Sequence, residues 1–399
     1  MNGDTTGTKT FHASTNQDTM TQDRPLNEEE VKDLRAKAQE VLFSLETELK
    51  NSAPTSDKKT HSSWLNGQVS ATGISEKCCY FDRFGFLHLQ GFASKEEVEA
   101  MQHQMEMLTS DWDPAEKTMA FSTHVKDNQA RGNDDYFLES ASRVHFFAEA
   151  TALEEDGSLK EEYQSNNKLQ ALNKSGHAMH IVEGAFRDYT LSSKVKSLVA
   201  DLGWRDPVVP QSMYICKNPK IGGTVHSHQD SAFLYTEPRQ SCLGLWLALD
   251  DATLLNGCLW IRPNSHQEAV RRQFKRNEKH FTQQVIDEGS NFGQGDLKEP
   301  KMIFEVFRQD VEWEGKLPDN SEPPCQGLLD AGFIPIECKA GDLVVFPGEL
   351  DHLSLPNYSE QQRHTFQLHL VEGPNTGVQW SKSNWLQYPK GKSFISIKE

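Results

Sequence analysis

The chain has 399 residues, a formal net charge of -17 at pH 7 and seven scattered cysteines without a C-x-x-C pair. The length allows one large domain or two ordinary ones. The acidic balance argues against a nucleic-acid-binding surface, which would need a basic stripe, and against attraction to anionic lipid. No apolar run approaches the ~18 residues that span a bilayer. Without a signal peptide or a C-terminal peroxisomal signal, we expect a cytoplasmic protein that binds neither nucleic acid nor membrane.

Residues 1–75 differ in composition from the rest of the chain. Residues 1–26 are rich in Thr, Asn, Asp, Gln and Gly, and residues 51–75 in Ser, Thr and Gly, which is typical of disordered segments. Residues 27–50 instead carry apolar side chains at helical spacing, from Val31 to Leu49. We therefore predict a mostly disordered extension with an amphipathic helix at 27–50. The pattern favours packing of this helix on the main domain over binding to a partner, and we expect the extension to be dispensable for catalysis.

Helices are predicted in the next part of the chain. Ser94 has the residue type of a helix N-cap, and acidic residues follow it in the first turn. More helix is predicted near 140–150 and 183–202. The charged residues 155–167 are predicted to form a surface insertion.

From residue 208 onward, eight short segments are β-branched or alternating and are separated by turn residues, which is typical of strands. Helices followed by eight strands indicate an α+β protein built on a jelly-roll barrel. The long charged segment 270–330 interrupts the strands, and a loop of this length in a compact domain is usually a lid or disordered. We expect one domain over 76–390 and a C-terminal tail over 391–399.

The segment TVHSHQDSAFLYTEP carries two histidines and an aspartate within five residues. Because alternate residues of a strand share a face, His226, His228 and Asp230 would project together, with Gln229 turned away. An imidazole and a carboxylate at this spacing can bind one metal ion. A third ligand would complete the two-histidine, one-carboxylate group of non-haem iron oxygenases.

A second polar face is predicted near the end of the chain. His352 begins one strand, and Arg363 begins the next after a turn. If the two strands form a hairpin, His352 pairs with Gln367, and Ser354 and Arg363 share its face. That face is either solvated or lines a polar cavity inside a barrel. A register slip of one residue would remove Arg363 from it.

Two further patterns leave alternatives open. In the strand GLWLALD, Gly244, Trp246 and Ala248 form one face, which is either shaped around a ligand or packed in an ordinary core. The H-x-D pattern is weak by itself, since His266 and Glu268 give a second match of the same kind.

Residues 79–390 resemble the phytanoyl-CoA dioxygenase family of iron- and 2-oxoglutarate-dependent oxygenases. The shared stretches include NKSGHAMH, VVPQSMYICKNP, HQDSAFLYTEP, LGLWLALDDATLLNGCLWIRPNSH and GDLVVFPGELDHLS. The resemblance implies a double-stranded β-helix flanked by helices, with the dioxygenase domain over 76–390. It also implies Fe(II) as the metal, 2-oxoglutarate and O2 as cosubstrates, and ascorbate as a further candidate.

The resemblance also implies roles for single residues. His228, Asp230 and His352 would bind the iron and, together with Arg363, form the catalytic set. Arg363 would pair with the distal carboxylate of 2-oxoglutarate, since a guanidinium fork suits a carboxylate. Ser354 would add a hydroxyl to the same carboxylate. Further positions that match the cosubstrate site are Lys174, Met213, Gln229 and Trp246, whereas His226 and His266 match no ligand position.

The implied reaction is hydroxylation of a C–H bond in a small or lipid-like substrate, with 2-oxoglutarate converted to succinate and CO2. Asp230 is present where related halogenases carry a small residue, so hydroxylation is expected. Two alternatives remain: a cupin-like metal-binding protein without oxygenase activity, and a non-catalytic interaction protein acting through the helix at 27–50. The sequence does not indicate the substrate, a CoA site or the oligomeric state.

Overall fold

A computed structural model describes residues 24–51, 76–115, 118–121, 134–287, 295–296 and 298–398. The disorder predicted for residues 1–23 and 52–75 lies outside these ranges. The α-helices of the described residues are α1 (Glu28–Asn51), α2 (Glu76–Phe84), α3 (Lys95–Asp111), α4 (Asp135–Glu139), α5 (Ala185–Thr190), α6 (Ser193–Asp201), α7 (Gln283–Asp287) and α8 (Gln326–Asp330).

The strands in the described part of the chain form two main sheets and two short ribbons. They are β1 (Leu87–Leu89), β2 (Met119–Ala120), β3 (Val144–Ala148), β4 (Leu172–His177), β5 (Pro207–Lys217), β6 (Val225–His228), β7 (Thr236–Glu237), β8 (Leu243–Ala248), β9 (Leu259–Ile261), β10 (Arg272–Arg276), β11 (Met302–Val306), β12 (Ile334–Ile336), β13 (Leu343–Pro347), β14 (His352–Ser354), β15 (Arg363–Glu372), β16 (Gln379–Trp380) and β17 (Ile395–Ser396).

The eight strands predicted after residue 208 are all present and build the barrel. The larger sheet contains the order β13-β8-β15-β5, and the smaller sheet has the order β12-β9-β14-β6. Successive strands β5, β6, β8 and β9 therefore alternate between the sheets, as do β13, β14 and β15. This alternation is a double-stranded β-helix, with helices such as α3 and α5 packed outside the larger sheet.

The hairpin predicted for His352 and Arg363 is wrong. β14 pairs with β6 and β9, whereas β15 pairs with β5 and β8. The connection between them crosses from one sheet to the other, and the Asn357 amide holds it by donating to the carbonyls of Lys217 and Gln361. His352 and Arg363 thus come from opposite walls of the barrel and still face the same interior.

The helix predicted near 140–150 is also wrong, since residues Val144–Ala148 form β3. Aromatic residues there pair with β4, where Phe147 lies opposite Lys174. The helices predicted over 183–202 are present as α5 and α6. Ser94 caps α3 as expected: its hydroxyl accepts from the Glu97 amide, and the Glu97 carboxylate accepts from the Ser94 amide.

The segment predicted as a lid or disordered is ordered in its described part. β10 and β11 pair antiparallel, with Arg272 opposite Val306 and Phe274 opposite Phe304. Phe274, Phe281 and Met302 are buried in one apolar cluster. Because β10 and β11 are far apart in sequence, the alternation within each strand did not predict that they pair. Residues 155–167, by contrast, are mostly exposed turns, as expected of a surface insertion.

Helix α1 packs against the smaller sheet, at the position of the predicted amphipathic helix. Val31, Leu34 and Leu45 are buried in the cluster that surrounds Trp260. Arg35 adds an ion pair to Glu337, with 2.6 Å between Nε and Oε2. These contacts agree with packing on the main domain. That residues 1–75 are dispensable for catalysis stays a prediction, and removal of α1 would uncover part of this core.

Candidate metal centre and cosubstrate cavity

His228, Asp230 and His352 come together at one point of the barrel. His228 ends β6, Asp230 begins the short 3-10 turn that follows, and His352 begins β14 directly opposite His228. The Asp230 Oδ1 atom lies 3.4 Å from His228 Nε2 and 3.7 Å from His352 Nε2. One ligand atom from each of the three residues lies within 4.8 Å of the others.

Hydrogen bonds behind these side chains fix their orientation. His228 Nδ1 lies 2.8 Å from the His226 carbonyl oxygen, and His352 Nδ1 lies 3.0 Å from that of Leu350. Each carbonyl accepts a hydrogen bond from the protonated Nδ1. Both Nε2 atoms therefore present their lone pairs to the centre. The outer oxygen of Asp230, Oδ2, lies 3.1 Å from Nε2 of the buried His369.

Two of the three pKa shifts favour metal binding, whereas for His228 the effect of Asp230 outweighs that of burial and raises the pKa of the imidazole. Burial opposes the charge of Asp230, yet the neighbouring His369 and His352 hold its pKa well below the usual range. Burial, together with nearby His228, lowers the pKa of His352 to about 4. Asp230 is therefore ionised and His352 neutral at physiological pH, as ligands to a metal must be.

The donor set fits Fe(II). Two imidazole nitrogens and one carboxylate oxygen, leaving open coordination positions, are the donors of the facial triad in non-haem iron oxygenases. A second cluster, His88, Cys338 and Asp342, fits a metal less well. The Asp342 oxygens already accept hydrogen bonds from the amides of Gly91 and Lys339, and burial raises the pKa of the Cys338 thiol.

A cavity of about 1070 Å³, including its open mouth, extends from the metal centre. It brings together nearly all the residues that the sequence assigned to the site: Lys174, Met213, His228, Asp230, Trp246, His352, Ser354 and Arg363. Gln229 is outside it. The Gln229 amide instead donates to the Glu349 carbonyl at 2.9 Å and accepts from the Arg271 amide at 3.0 Å, so it holds the metal segment from behind.

Arg363 lies in the cavity as a buried, undercompensated charge. It is 1% exposed, and its guanidinium carbon lies 5.6 Å from the centre of the Trp246 ring. Its one hydrogen bond among the described residues, from Nη1 to Thr365 Oγ1, is long at 3.4 Å, and Nε has none. Burial lowers the pKa of Arg363 to about 10. A cation in this state requires an anion.

Lys174 brings a second cation into the cavity from β4. Its Nζ lies 2.8 Å from His177 Nε2 and 3.6 Å from the centre of the Phe121 ring. His177 also contacts the Ser140 hydroxyl at 2.7 Å. His177 and His369 were both missed from the sequence. His369 could have been found, because it has the same strand parity as Arg363 on β15.

The two other candidate histidines differ in position. His226 lines the cavity but is not part of the three-residue metal group. His266 lies elsewhere, with Nε2 3.0 Å from the Asp82 carbonyl oxygen, and Glu268 forms an ion pair with Arg262. The second H-x-E match in the sequence is therefore a coincidence of spacing.

The two-histidine, one-carboxylate group and the buried arginine share the interior of a double-stranded β-helix. This combination defines an iron- and 2-oxoglutarate-dependent dioxygenase. The family model described as Phytanoyl-CoA dioxygenase (PhyH) matches residues 81–365, and the chain belongs to this family.

Relatives agree with this assignment. The chain is 39% identical over 311 residues to Phytanoyl-CoA dioxygenase of Arabidopsis thaliana, covering 78% of this chain and 92% of the relative. It is 37% identical over 309 residues to Phytanoyl-CoA dioxygenase domain-containing protein 1 of Mus musculus, covering 77% and 92%. A solved structure of the epimerase SnoN is 12% identical, with a TM-score of 0.47 and coverage of 81% and 98%. Among the described residues, no helix has the length and apolarity to cross a membrane.

Proposed function

We propose that the protein hydroxylates a C–H bond of a small or lipid-like substrate and couples this to the conversion of 2-oxoglutarate to succinate and CO2. The observation that carries the proposal is Arg363. It is buried in the same cavity as the metal group and, among the described residues, has no carboxylate within ion-pair distance. A dicarboxylate that binds the metal at one end would neutralise Arg363 at the other.

His228, Asp230 and His352 would hold the Fe(II), with Asp230 oriented by His369. When bound, the iron supplies the oxidation chemistry, and the protein supplies positioning and exclusion of water. The ionised Asp230 offsets part of the charge of the ion. The Nδ1 hydrogen bonds keep both histidines in the tautomer that presents Nε2.

Around the cosubstrate, each wall residue would contribute a different interaction. Arg363 would form two parallel hydrogen bonds to the distal carboxylate. Ser354, on the opposite wall, would donate its hydroxyl. Trp246 and Met213 are buried and would exclude water from the pair. A metal-binding protein without oxygenase activity would have no use for a buried guanidinium at this place, which supports the oxygenase over that alternative.

The test is the replacement of Arg363 by Leu. Removing one partner of a desolvated, hydrogen-bonded charge pair weakens 2-oxoglutarate binding by roughly 30-fold or more. Iron affinity should change little, because Arg363 does not touch the metal group. Both affinities can be measured anaerobically from the charge-transfer absorbance of the Fe(II)–2-oxoglutarate chelate.

Replacement of Arg363 by Lys is the matched control. It keeps the charge but loses the planar fork, so its 2-oxoglutarate affinity should fall between those of the wild type and Arg363→Leu. Unchanged 2-oxoglutarate binding in Arg363→Leu would exclude the cosubstrate assignment and favour a metal-binding protein of another kind. Two further measurements test the hydroxylation itself. Succinate release should depend on the substrate, and oxygen from O2 should be incorporated into the product.

A further inference from the structure

Arg272 places another buried guanidinium in the cavity. It begins β10, is 5% exposed and lines the same cavity as the metal group. Its guanidinium carbon lies 4.1 Å from the centre of the Phe304 ring. Within the described part of the chain its ion-pair partner is Glu314, whose Oε1 atom lies 2.8 Å from Nε.

The preceding residue, Arg271, is an arginine in the same region whose charge is compensated by carboxylates. Arg271 contacts three carboxylates, those of Glu268, Glu314 and Asp351. Because the other oxygen of Glu314 is already hydrogen-bonded to Arg271 at 2.6 Å, Glu314 divides its charge between two guanidinium groups. Burial lowers the pKa of Arg272, whereas the carboxylates around Arg271 outweigh its burial and raise its pKa. Arg272 is therefore the undercompensated member of the pair.

The position of Arg272 is fixed relative to the metal group. The Arg271 amide is hydrogen-bonded to the side chain of Gln229, which lies between two metal ligands in the chain. Phe233 lines the cavity, with its ring centre 6.1 Å from that of His228 and 6.0 Å from that of Phe304, the ring that packs on Arg272. An aromatic wall thus runs from the metal group to the guanidinium of Arg272.

We infer that Arg272 binds an anionic group of the primary substrate, while an apolar part of the same molecule lies along Phe233 and Phe274 towards the metal group. The inference rests on the proposed function and adds the substrate class: an acid with an apolar body. A guanidinium fork suits a carboxylate or a phosphate ester. Aromatic faces suit the apolar remainder, and a few polar groups in such a pocket fix the orientation of the ligand.

The test uses three probes with the same ten-carbon chain: decanoate, decyl phosphate and uncharged decanamide. Each is titrated anaerobically by calorimetry into the full-length protein loaded with Fe(II) and saturating 2-oxoglutarate. An anionic probe should bind at least about tenfold tighter than decanamide, since it gains a charge-assisted pair. The tighter of decanoate and decyl phosphate identifies the anion.

Two variants of opposite effect isolate Arg272. Arg272→Met should weaken anionic probes by roughly 30-fold or more and leave decanamide unchanged. Glu314→Gln removes the competing carboxylate and should strengthen binding of the anionic probes. Lys275→Met is the matched control, because Lys275 lies on the same strand outside the cavity and pairs with Glu305 at 2.9 Å. It should preserve the preference for anions.

Equal affinity of the wild type for charged and uncharged probes would overturn the inference. So would an unchanged preference in a folded Arg272→Met. If that variant does not fold, Glu314→Gln decides, and weaker or unchanged binding of the anionic probes would overturn it. Failure of the proposed function is separate, because it would appear in the wild type as absence of the 2-oxoglutarate chelate absorbance without any probe.

Discussion

The arginines behind the metal group and those inside the cavity are compensated differently, although Arg271 is buried as deeply as Arg272 and Arg363. Arg262 and Arg271 each contact at least two carboxylates, and both contact Asp351, which is fully buried beside His352. Arg363 has no carboxylate partner among the described residues, and Arg272 shares the one it has. Burial alone therefore does not distinguish these two groups of arginines, whereas their carboxylate partners do.

The physical reason is the cost of an unpaired buried charge. Removing one partner of a buried ion pair typically costs 3–5 kcal/mol, because the other charge is left uncompensated. An arginine that stays undercompensated in the resting protein carries part of this cost until a ligand arrives. Ligand binding then recovers that energy, which favours an anion over any neutral molecule of the same shape.

The most severe way to break the arrangement is to remove a metal ligand. His228→Ala or Asp230→Ala should abolish Fe(II) binding while the fold stays largely intact. The reason is that each supplies one of three converging donor atoms. Metal content after anaerobic loading measures the effect. His226→Ala should retain the iron, and loss of metal from this variant alone would show that the ligands are wrongly assigned.

The next largest effect compares a compensated with an undercompensated arginine directly. Arg271→Met leaves the buried Asp351 and Glu314 short of a partner and should lower the free energy of unfolding by about 3–5 kcal/mol. Arg363→Leu removes an undercompensated charge and should leave stability unchanged or raise it when 2-oxoglutarate is absent. Chemical denaturation of both apoproteins measures the difference. Equal destabilisation would contradict the distinction between the two groups.

Two apolar residues of α1, one buried and one exposed, provide a reference for the size of these changes in the free energy of unfolding. Leu34 is 1% exposed and Phe43 is 70% exposed on the same helix. Leu34→Ala should lower the free energy of unfolding by ~2–4 kcal/mol, since it leaves a cavity in the core. Phe43→Ala should change it little. A neutral Leu34→Ala would mean that α1 contributes no stability, which would agree with the expectation that residues 1–75 are dispensable for catalysis.

The smallest effect concerns Glu349, a buried acid that avoids the cost of an unpaired buried charge by staying protonated. Burial raises the pKa of Glu349 to about 8, with Arg239 opposing the shift. Since the pKa is higher in the folded state, the resulting stability is present below the unfolded pKa and is lost as the pH rises through about 8. Thermal unfolding should therefore show a melting temperature that falls between pH 5 and 8. Glu349→Gln should flatten this slope, and an identical slope in the variant would contradict the assignment.

The strands of the barrel could be predicted from the sequence because the patterns that indicate a strand lie within the strand and its flanking turns. Alternation and turn residues located all eight strands, although the sequence left open whether the face that carries Arg363 is solvated or lines a cavity. The partners of those strands could not be predicted, since pairing of β14 with β6 and β9 depends on residues far away in sequence. For that reason the predicted hairpin was wrong although both its strands were right.

The site was predicted best where residues cluster in the chain. Arg272 was missed because its strand lies in a segment whose charge and length suggested a loop. Its partner β11 begins at Met302, too far away for a hairpin pattern to appear. Gln229 was assigned to the cosubstrate through the family resemblance, while strand parity alone turned it away from the cavity. The structure agrees with the parity.

The ribbon of β10 and β11 has a consequence for how this enzyme could be altered. Its two strands pair with each other as a separate two-stranded sheet, while the iron and cosubstrate residues are held by the barrel sheets, the turn after β6 and β4. Arg272 and Phe274 therefore reach the cavity from outside the barrel sheets, on an element tied to the metal segment by the hydrogen bond between the Arg271 amide and Gln229. Exchanging this ribbon between relatives is a route to new substrate preferences on an unchanged oxidising centre.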